Sequence, residues 1–325
     1  MKATFTLLIS LITINIFSQN NKLNGVWILD KFVYSDGRPL EINDNNFSSF
    51  SKYEFDNNKM KIQGLEIPIT TTSNTIQTNA AKYEYGFDNK YLLLKMQGDE
   101  KIACLLKPEK FIELYPEFQL EKIKYNDSDV YKENLIVSPE FTYQGGFNSY
   151  LLNTFAQSEN YEVANYYFDI QFILTKDSKI KDIKILKGSG DFFEKKVIQT
   201  INNSEKYFKN TTGKDFLMNR KFKMNTVESS NQMSKVDKQI AKIHENGLKY
   251  YMKDDFPNAI KTYEALDLIT AANSENQLIK SSYKNLGISY LAINEIGKAC
   301  NSFKKSGSRT DFEIRNYLIN FCSKK

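Results

Sequence analysis

The sequence feature that most restricts the fold is an internal repeat near the C-terminal end. Five residues, spaced by offsets of 3, 9, 12 and 16 from the first, recur 40 positions later. The first set is Gly247, Tyr250, Phe256, Ala259 and Tyr263, and the second is Gly287, Tyr290, Ile296, Ala299 and Phe303. Small residues allow two helices to pack closely, and the aromatic residues fill the gap between them. The repeat predicts two helical hairpins, and the segment DFEIRNYLINFC predicts a final capping helix.

This spacing resembles that of tetratricopeptide repeats, which are helix pairs that bind partner proteins in a groove. The resemblance covers residues 239–325, although the usual period is about 34. It implies that the first helix of each pair lines the groove. The partner-binding residues implied for the groove are His244, Leu248, Tyr251, Lys284 and Ile288. The alternative for His244, the one histidine of the chain, is a solvated polar residue without a chemical role.

The first 18 residues have the pattern of a secretory signal peptide. Lys2 precedes an apolar run from Phe5 to Phe17, and the small residue Ser18 precedes Gln19. The run is shorter than the ~20 residues that a membrane span needs, and it is interrupted by Ser10, Thr13 and Asn15. We therefore expect a soluble, exported protein with no membrane span after cleavage. A retained anchor is the alternative.

Residues 19–120 have the pattern of a β domain. Short apolar runs such as GVWILDKFVY, AKYEYGFD and KIACLLK are separated by the turn sequences SDGRP, DNNK and QGDE. They predict an antiparallel barrel or sandwich. The opening LNGVW, with the single tryptophan Trp27, resembles lipocalin-like domains of exported bacterial proteins, in which such a tryptophan closes the barrel floor. The resemblance allows a cavity for a small apolar ligand, whereas the alternative is a Trp27 that only fills the core.

Residues 138–227 mix both periodicities, and we interpret the polar stretches on either side, 121–137 and 228–238, as linkers. The order predicted for this α+β domain is helix, hairpin, helix, strand. A Gly188-Ser189-Gly190 turn precedes the second helix. A dinucleotide-binding turn needs a third glycine where Phe193 stands, so we interpret this turn as structural and expect no cofactor.

The same domain resembles the C-terminal domain of TonB and its relatives in Gram-negative envelopes. The resemblance rests on Pro139-x-Phe141, Gly145-Gly146, the strand pair FDIQFILTKDSKIKDIKILKG with the helix after it, and Gly213-Lys214. In that family the domain does no chemistry, and its exposed sheet edge pairs with an extended segment of an outer-membrane receptor. If the last strand is the edge, the implied partner-binding residues are Phe216, Met218, Arg220 and Phe222. The alternative is that this face packs on the helices.

Energy transduction does not fit the rest of the chain. A TonB-type transducer needs a retained membrane helix and a proline-rich spacer, whereas this chain has a cleavable signal and six scattered prolines. The resemblance therefore implies an adaptor whose partners are envelope or outer-membrane proteins. The expected location is the periplasm or cell envelope of a Gram-negative bacterium.

Cysteine usage and charge exclude several other classes. Three cysteines in an exported chain allow one disulfide, and Cys300 and Cys322 are the pair close in sequence, while Cys104 is expected to be a buried small apolar residue. Neither zinc-type spacing nor a catalytic serine motif is present, and we expect no metal site and no enzyme activity. The net charge of +5 is spread without a basic block, which argues against a nucleic-acid partner.

Taken together, the patterns predict a multidomain α+β protein. Its parts are an N-terminal β-barrel or sandwich, a TonB-like α+β domain and C-terminal tetratricopeptide-like hairpins. The predicted function is that of a non-enzymatic exported adaptor. It binds proteins by strand addition and in the helical groove, and TonB-type transport is the process to which the resemblance links it. The alternative is a periplasmic carrier of a small apolar ligand, which requires a cavity behind Trp27.

Overall fold

The structure, a computed structural model, describes residues 22–156, 166–188, 190–224, 234–269 and 276–323. The predicted signal peptide and residues 228–233 of the predicted second linker lie outside the described residues. The chain is a mixed α+β protein with two compact units. Unit 1 contains the described residues up to 60, residues 67–111 and those from 234 onward, and unit 2 contains residues 61–66 and 112–224. Apart from residues 61–66, the barrel and the helical hairpins, which the sequence treats as separate domains, thus belong to one unit.

A nearly closed antiparallel barrel forms the N-terminal part of the chain. Its strands are β1 (Gly25–Tyr34), β2 (Lys52–Asp56), β3 (Lys59–Ile62), β4 (Leu65–Pro68), β5 (Thr70–Thr71), β6 (Thr75–Gln77), β7 (Lys82–Asp88), β8 (Tyr91–Met96) and β9 (Lys101–Leu106). They form one sheet in the order β4-β3-β2-β1-β9-β8-β7-β6-β5. Turns occur where the sequence predicts them, with Asn57 and Gly98 at positive φ, a conformation that asparagine and glycine tolerate. The predicted antiparallel β domain is confirmed at this level.

The barrel interior is filled by alternate side chains of the central strands. Trp27 lies opposite Tyr53, and Leu29 lies opposite Leu105, which in turn faces Leu92 on β8. Because side chains alternate across a strand, these residues share one face of the sheet. Leu29, Leu92 and Leu105 are each at most 1% exposed, so the centre of the sheet is closely packed.

Unit 2 is built on a five-stranded sheet. Its strands are β10 (Lys122–Tyr125), β11 (Ser128–Lys132), β13 (Tyr166–Leu174), β14 (Ile180–Lys187) and β16 (Phe216–Met224), in the order β10-β11-β16-β13-β14; β12 (Glu140–Phe141) pairs with β15 (Phe208–Lys209). Helices α2 (Gly146–Ala156) and α3 (Asp191–Ser204) supply Leu151, Phe155, Val197 and Ile201 to the core that covers this sheet. The preceding helix in the chain is α1 (Pro108–Leu114).

The predicted linker at residues 121–137 is wrong in part, because β10 and β11 lie within it. Val130 is 2% exposed and packs with Ile173 and Leu217 of the sheet, and Ile123 packs against the same cluster. The segment reads as a linker because few of its residues are apolar. A short hairpin needs only these few apolar contacts when the neighbouring strand completes its hydrogen bonds.

The helices of unit 1 form the predicted succession of hairpins. They are α4 (Lys235–Tyr251), α5 (Phe256–Tyr263), α6 (Gln277–Ala292), α7 (Ile296–Ser306) and α8 (Phe312–Cys322). Several begin at a side chain that accepts a hydrogen bond from the first turn, as Ser234 does for α4 and Asp311 for α8. Gly247 lies against the ring of Tyr263, and Gly287 lies against the ring of Phe303, so the two hairpins repeat the same close contact.

Not every repeated position fills the gap between helices. Ala259 and Ala299 are fully buried, as are the two rings that follow them in the repeat. Tyr250, however, is 40% exposed, although its counterpart Tyr290 is buried, and Ile296 is 47% exposed. The prediction of a gap-filling aromatic is therefore wrong at Tyr250, because this residue lies on the outer side of α4.

Two links hold α8 in place. The sulfur atoms of Cys300 on α7 and Cys322 on α8 lie 2.10 Å apart, which confirms the predicted disulfide, and Cys104 is a buried free cysteine as expected. The second link is a buried ion pair between Arg315 of α8 and Asp30 of β1, with Nη2 and Oδ1 3.0 Å apart and both side chains at most 3% exposed.

A β-bulge brings Asp30 to this position. The pairing of β1 with β9 shifts between Leu29 and Lys31, which leaves Asp30 as the extra residue, and such bulges re-aim side chains. The hydroxyl of Tyr91 donates a hydrogen bond to Asp30 Oδ2 at 3.0 Å. The guanidinium group of Arg315 also lies over the Phe111 ring, 5.0 Å from its centroid. The charge pair is thus enclosed by aromatic rings and by hydrogen-bond partners.

We expect Arg315→Met to lower the free energy of unfolding of unit 1 by about 3–5 kcal/mol, because Asp30 would remain buried without its countercharge. The double variant Asp30→Asn/Arg315→Met should recover part of this loss. The measurement is urea unfolding followed by the fluorescence of Trp27, the one tryptophan of the chain. Equal stability of Arg315→Met and the wild type would contradict the structural role of the pair.

We expect Gly287→Ala to destabilise unit 1 by about 1–3 kcal/mol, because the added methyl group would overlap the Phe303 ring. Gly297→Ala on α7 is the matched control, since nothing lies within 4 Å of its added methyl group. There the loss of glycine entropy should leave stability unchanged or raise it by about 0.5–1 kcal/mol. Thermal unfolding of the two variants side by side tests the close packing, and a harmless Gly287→Ala would refute it.

Candidate protein-binding groove

A cavity of about 410 Å³ opens between the first helices of the hairpins, the capping helix and the loop between β1 and β2. We call this space the groove. Its lining residues are Asn43, Asp44, Asn45, Ser48, Tyr251, Met252, Asp254, Phe256, Lys284, Asn285, Ile288 and Tyr317. The lining combines aromatic rings with amides, hydroxyls and charged groups. Such a surface suits an extended polypeptide segment better than a purely apolar molecule.

Three of the five groove residues predicted from the sequence line this cavity. Tyr251 comes from the end of α4, and Lys284 and Ile288 come from α6. They meet because residues three or four apart on a helix share a face, and the hairpin packing aligns α4 with α6. Ile288 is 4% exposed, while Tyr251 and Lys284 are half-buried. The predicted location of these three residues agrees with the structure, whereas partner binding by them stays a prediction.

His244 and Leu248 are half-buried on α4 but do not line the cavity. His244 Nδ1 lies 2.9 Å from the Ser282 hydroxyl oxygen on α6, and Ser282 is fully buried. This contact ties the two first helices together. The interpretation of His244 as a merely solvated residue is therefore wrong, and its position between two packed helices explains its partial burial.

The charged groups around the groove are mostly paired. Lys284 Nζ lies 3.0 Å from Glu313 Oε2, and Lys101 Nζ lies 2.7 Å from Asp44 Oδ2. Asp254 is exposed at the groove margin. Burial raises the pKa of Tyr251, with a further contribution from the negative charge of Asp254. At neutral pH the phenol therefore stays protonated and can donate a hydrogen bond.

Sequence reasoning missed the loop that forms one wall of the groove. Residues 40–51 connect β1 to β2, and Ile42 and Phe47 of this loop pack against the helical core. The ring of Phe47 lies 4.9 Å from that of Tyr317 on α8. The sequence carries a weak signal for this contact, namely the apolar residues Ile42 and Phe47 on either side of the polar stretch 43–46.

The last strand of the unit 2 sheet does not form an edge along its whole length. β16 lies between β11 and β13, so the prediction of an exposed edge strand is wrong at Phe216, which pairs with Tyr131 of β11. Phe216, Met218 and Phe222 are at most 5% exposed and belong to the core with α2 and α3. The alternative, that this face packs on the helices, is the arrangement found.

Arg220 is the half-buried member of the four residues predicted on this strand. Its guanidinium group forms an ion pair with Glu133, with Nη2 and Oε2 3.1 Å apart, and lies over the Phe147 ring at 5.5 Å from its centroid. The pairing of β11 with β16 ends at Leu217. In the described part of the chain, the outer edge of β16 beyond Leu217 therefore has no paired strand.

Trp27 is buried and makes several contacts in the barrel. It is 4% exposed, its Nε1 donates a hydrogen bond to the carbonyl oxygen of Leu23 at 2.7 Å, and the Lys107 ammonium group lies 4.1 Å from its ring centroid. Phe87 contacts the same ring, at 6.0 Å between centroids. These contacts favour a core role for Trp27.

Within the described ranges, no group of three or more histidine, cysteine, aspartate or glutamate side chains is arranged to hold a metal ion. In that part of the chain, no helix combines the length and the apolar character needed to cross a bilayer. No protein-family model, curated protein or solved structure matches the chain. The geometry of the groove and of the unit 2 sheet is therefore the basis of the proposed function.

We expect the imidazole of His244 to titrate below its ordinary pKa of 6.5, because burial disfavours the charged form. In the unfolded chain the ordinary value returns, so the unfolded state binds the proton more readily. The stability of unit 1 should therefore fall as the pH drops below about 6.5. As the chain has one histidine, a proton NMR titration of its ring signals measures this pKa directly. A midpoint at or above 6.5, or an unchanged acid profile in His244→Asn, would contradict this expectation.

Proposed function

We propose that this protein is a non-enzymatic adaptor of the Gram-negative cell envelope that binds an extended segment of a partner protein in the groove. The observation that carries the proposal is the cavity of about 410 Å³ between α4, α6 and α8, lined by both apolar and polar side chains. A groove of this kind accepts apolar side chains of a peptide and leaves donors and acceptors for its backbone. The repeated Gly–aromatic contact of the hairpins supports the tetratricopeptide resemblance.

The compartment is part of the same proposal. The signal-peptide pattern of the first 18 residues supports export, and a cysteine pair at disulfide distance is typical of proteins in oxidising compartments. The expected partners are proteins of the envelope or outer membrane. The resemblance of residues 138–227 to the TonB C-terminal domain supports a role in the envelope and a link between the adaptor and TonB-type transport.

Strand addition is a second binding mode that the adaptor can use. The support for it is the outer edge of β16 beyond Leu217, which no described strand covers, together with β14 at the opposite end of the sheet. Unpaired backbone groups at such edges accept an additional strand. In this mode the backbone of β16 binds the partner, since the side chains of Met218 and Phe222 are buried in the core.

The carrier alternative has less support. It requires an empty space behind Trp27, whereas the ring is enclosed by Phe87 and Lys107, and Leu29, Leu92 and Leu105 fill the adjoining face. A barrel interior filled by apolar side chains leaves little room for a ligand. We therefore propose the adaptor in preference to the carrier.

The test is affinity capture from crosslinked envelope extracts with three baits. The baits are the wild type, the groove variant Lys284→Glu and the control Lys304→Glu on α7, which makes the same charge change on an exposed residue. We expect the groove variant to lose at least one specific partner that the wild type and the control both retain, because it places a negative charge beside Glu313 in the groove. Trp27 fluorescence verifies that each bait is folded.

An identical set of captured proteins for all three baits would refute the groove as the binding site. A partner retained by the folded Lys284→Glu variant would then be examined for binding at the sheet edge of unit 2. No specific capture by the wild type would refute the adaptor proposal itself.

A further inference from the structure

One wall of the groove is a segment of the chain that packs on the capping helix α8. We call residues 40–51, with the sequence LEINDNNFSSFS, the internal segment. Its apolar side chains Ile42 and Phe47 pack against the helical core, and the Phe47 ring contacts both Tyr317 and Phe321, at 4.9 Å and 6.5 Å between centroids. Two apolar anchors five residues apart therefore fasten this segment to α8.

The helix binds the backbone of the internal segment through its side chains. The Tyr317 hydroxyl donates a hydrogen bond to the carbonyl oxygen of Ile42 at 2.8 Å, and Asn316 Nδ2 donates one to the carbonyl oxygen of Phe47 at 2.5 Å. Hydrogen bonds to main-chain carbonyls are independent of sequence, whereas the anchor side chains supply selectivity. This division is the one by which grooves recognise extended peptides.

Charge adds a third element of recognition. Asp44 is the one charged residue between the two anchors, and its carboxylate lies 2.7 Å from the Lys101 ammonium group. A matching ligand is thus an extended segment with an aliphatic residue, an acidic residue two positions later and an aromatic residue three positions after that.

The internal segment is also attached at both ends. Leu40 is 5% exposed, and the half-buried Phe50 at the other end contacts Phe312 with 4.4 Å between ring centroids. Between them, Ile42 and Phe47 are only half-buried, and the segment contains no regular helix or strand. Asn43 and Ser48 line the cavity of about 410 Å³, so this space stays open beside the bound internal segment.

We propose that the internal segment is an intramolecular ligand of the groove, and that partner proteins bind by displacing it with a segment of the same chemistry. This inference rests on the proposed function of the groove. Because binding then requires the minor state in which the groove is open, the apparent affinity is the intrinsic affinity multiplied by the open fraction. The internal segment thereby selects for partners that present both anchors.

The experiment measures fluorescence anisotropy of a labelled peptide with the sequence of residues 40–51, added to the full chain. The released variant Ile42→Ser/Phe47→Ser lacks both internal anchors and should bind the peptide at least about tenfold more tightly than the wild type, as expected if the groove is closed in most molecules. A peptide with serine at both anchor positions should bind neither protein. The control Leu268→Ser, at a residue 90% exposed, should behave as the wild type does.

A second variant keeps the test valid if the released variant does not fold. Asp44→Asn removes the ion pair to Lys101 from the internal segment and leaves both anchors in place, while Lys101 stays free to pair with the aspartate of the peptide, so this variant should raise peptide affinity several-fold over the wild type. Equal binding by the wild type and the folded variants, or binding by none of them, would overturn the inference.

The outcomes also separate this inference from the proposed function. Peptide binding by the released variant without any partner that depends on Lys284 would support the internal ligand and refute the adaptor. A partner that depends on Lys284, with no peptide binding by the released variant, would support the adaptor and overturn the internal ligand.

Discussion

The arrangement of unit 1 depends on one buried ion pair. Arg315 and Asp30 are separated by 285 residues in sequence, yet their charged groups lie 3.0 Å apart and are shielded from water. Arg315 fixes the rotation of α8 about its own axis, and the next two residues, Asn316 and Tyr317, therefore point to the loop between β1 and β2. The groove takes its shape from this rotation. An apolar contact would attach the helix to the barrel without fixing its orientation so narrowly, since burial of apolar surface is non-directional.

Features encoded by local spacing could be predicted from the sequence. The repeated Gly247 and Gly287 marked the helical hairpins, the turn residues marked the barrel strands, and Cys300 and Cys322 marked the disulfide. Three of the predicted groove residues line the cavity because they lie on one face of each first helix. Each of these signals requires only that neighbours along the chain obey the geometry of a helix, a turn or a short loop.

Features that depend on distant partners could not be predicted in this way. Asp30 has no evident role in the middle of a strand until Arg315 is placed beside it, and Ile42 and Phe47 look like surface residues until α8 covers them. The sequence leaves open whether β16 lies at an edge, because the order of strands in a sheet is not encoded in any one strand. The short hairpin of β10 and β11, whose burial depends on Ile173 and Leu217, was hidden for the same reason.

The discontinuity of unit 1 along the chain has a consequence for the order of folding. In the sequence, most of unit 2 comes between the barrel strands and the helices of unit 1. Strand β1 is therefore synthesised long before α8 is available to neutralise Asp30. Contacts of such long sequence separation form slowly, and domains tend to fold as units during synthesis. Unit 2 can thus reach its native state first, while the barrel waits with a carboxylate that is not yet paired.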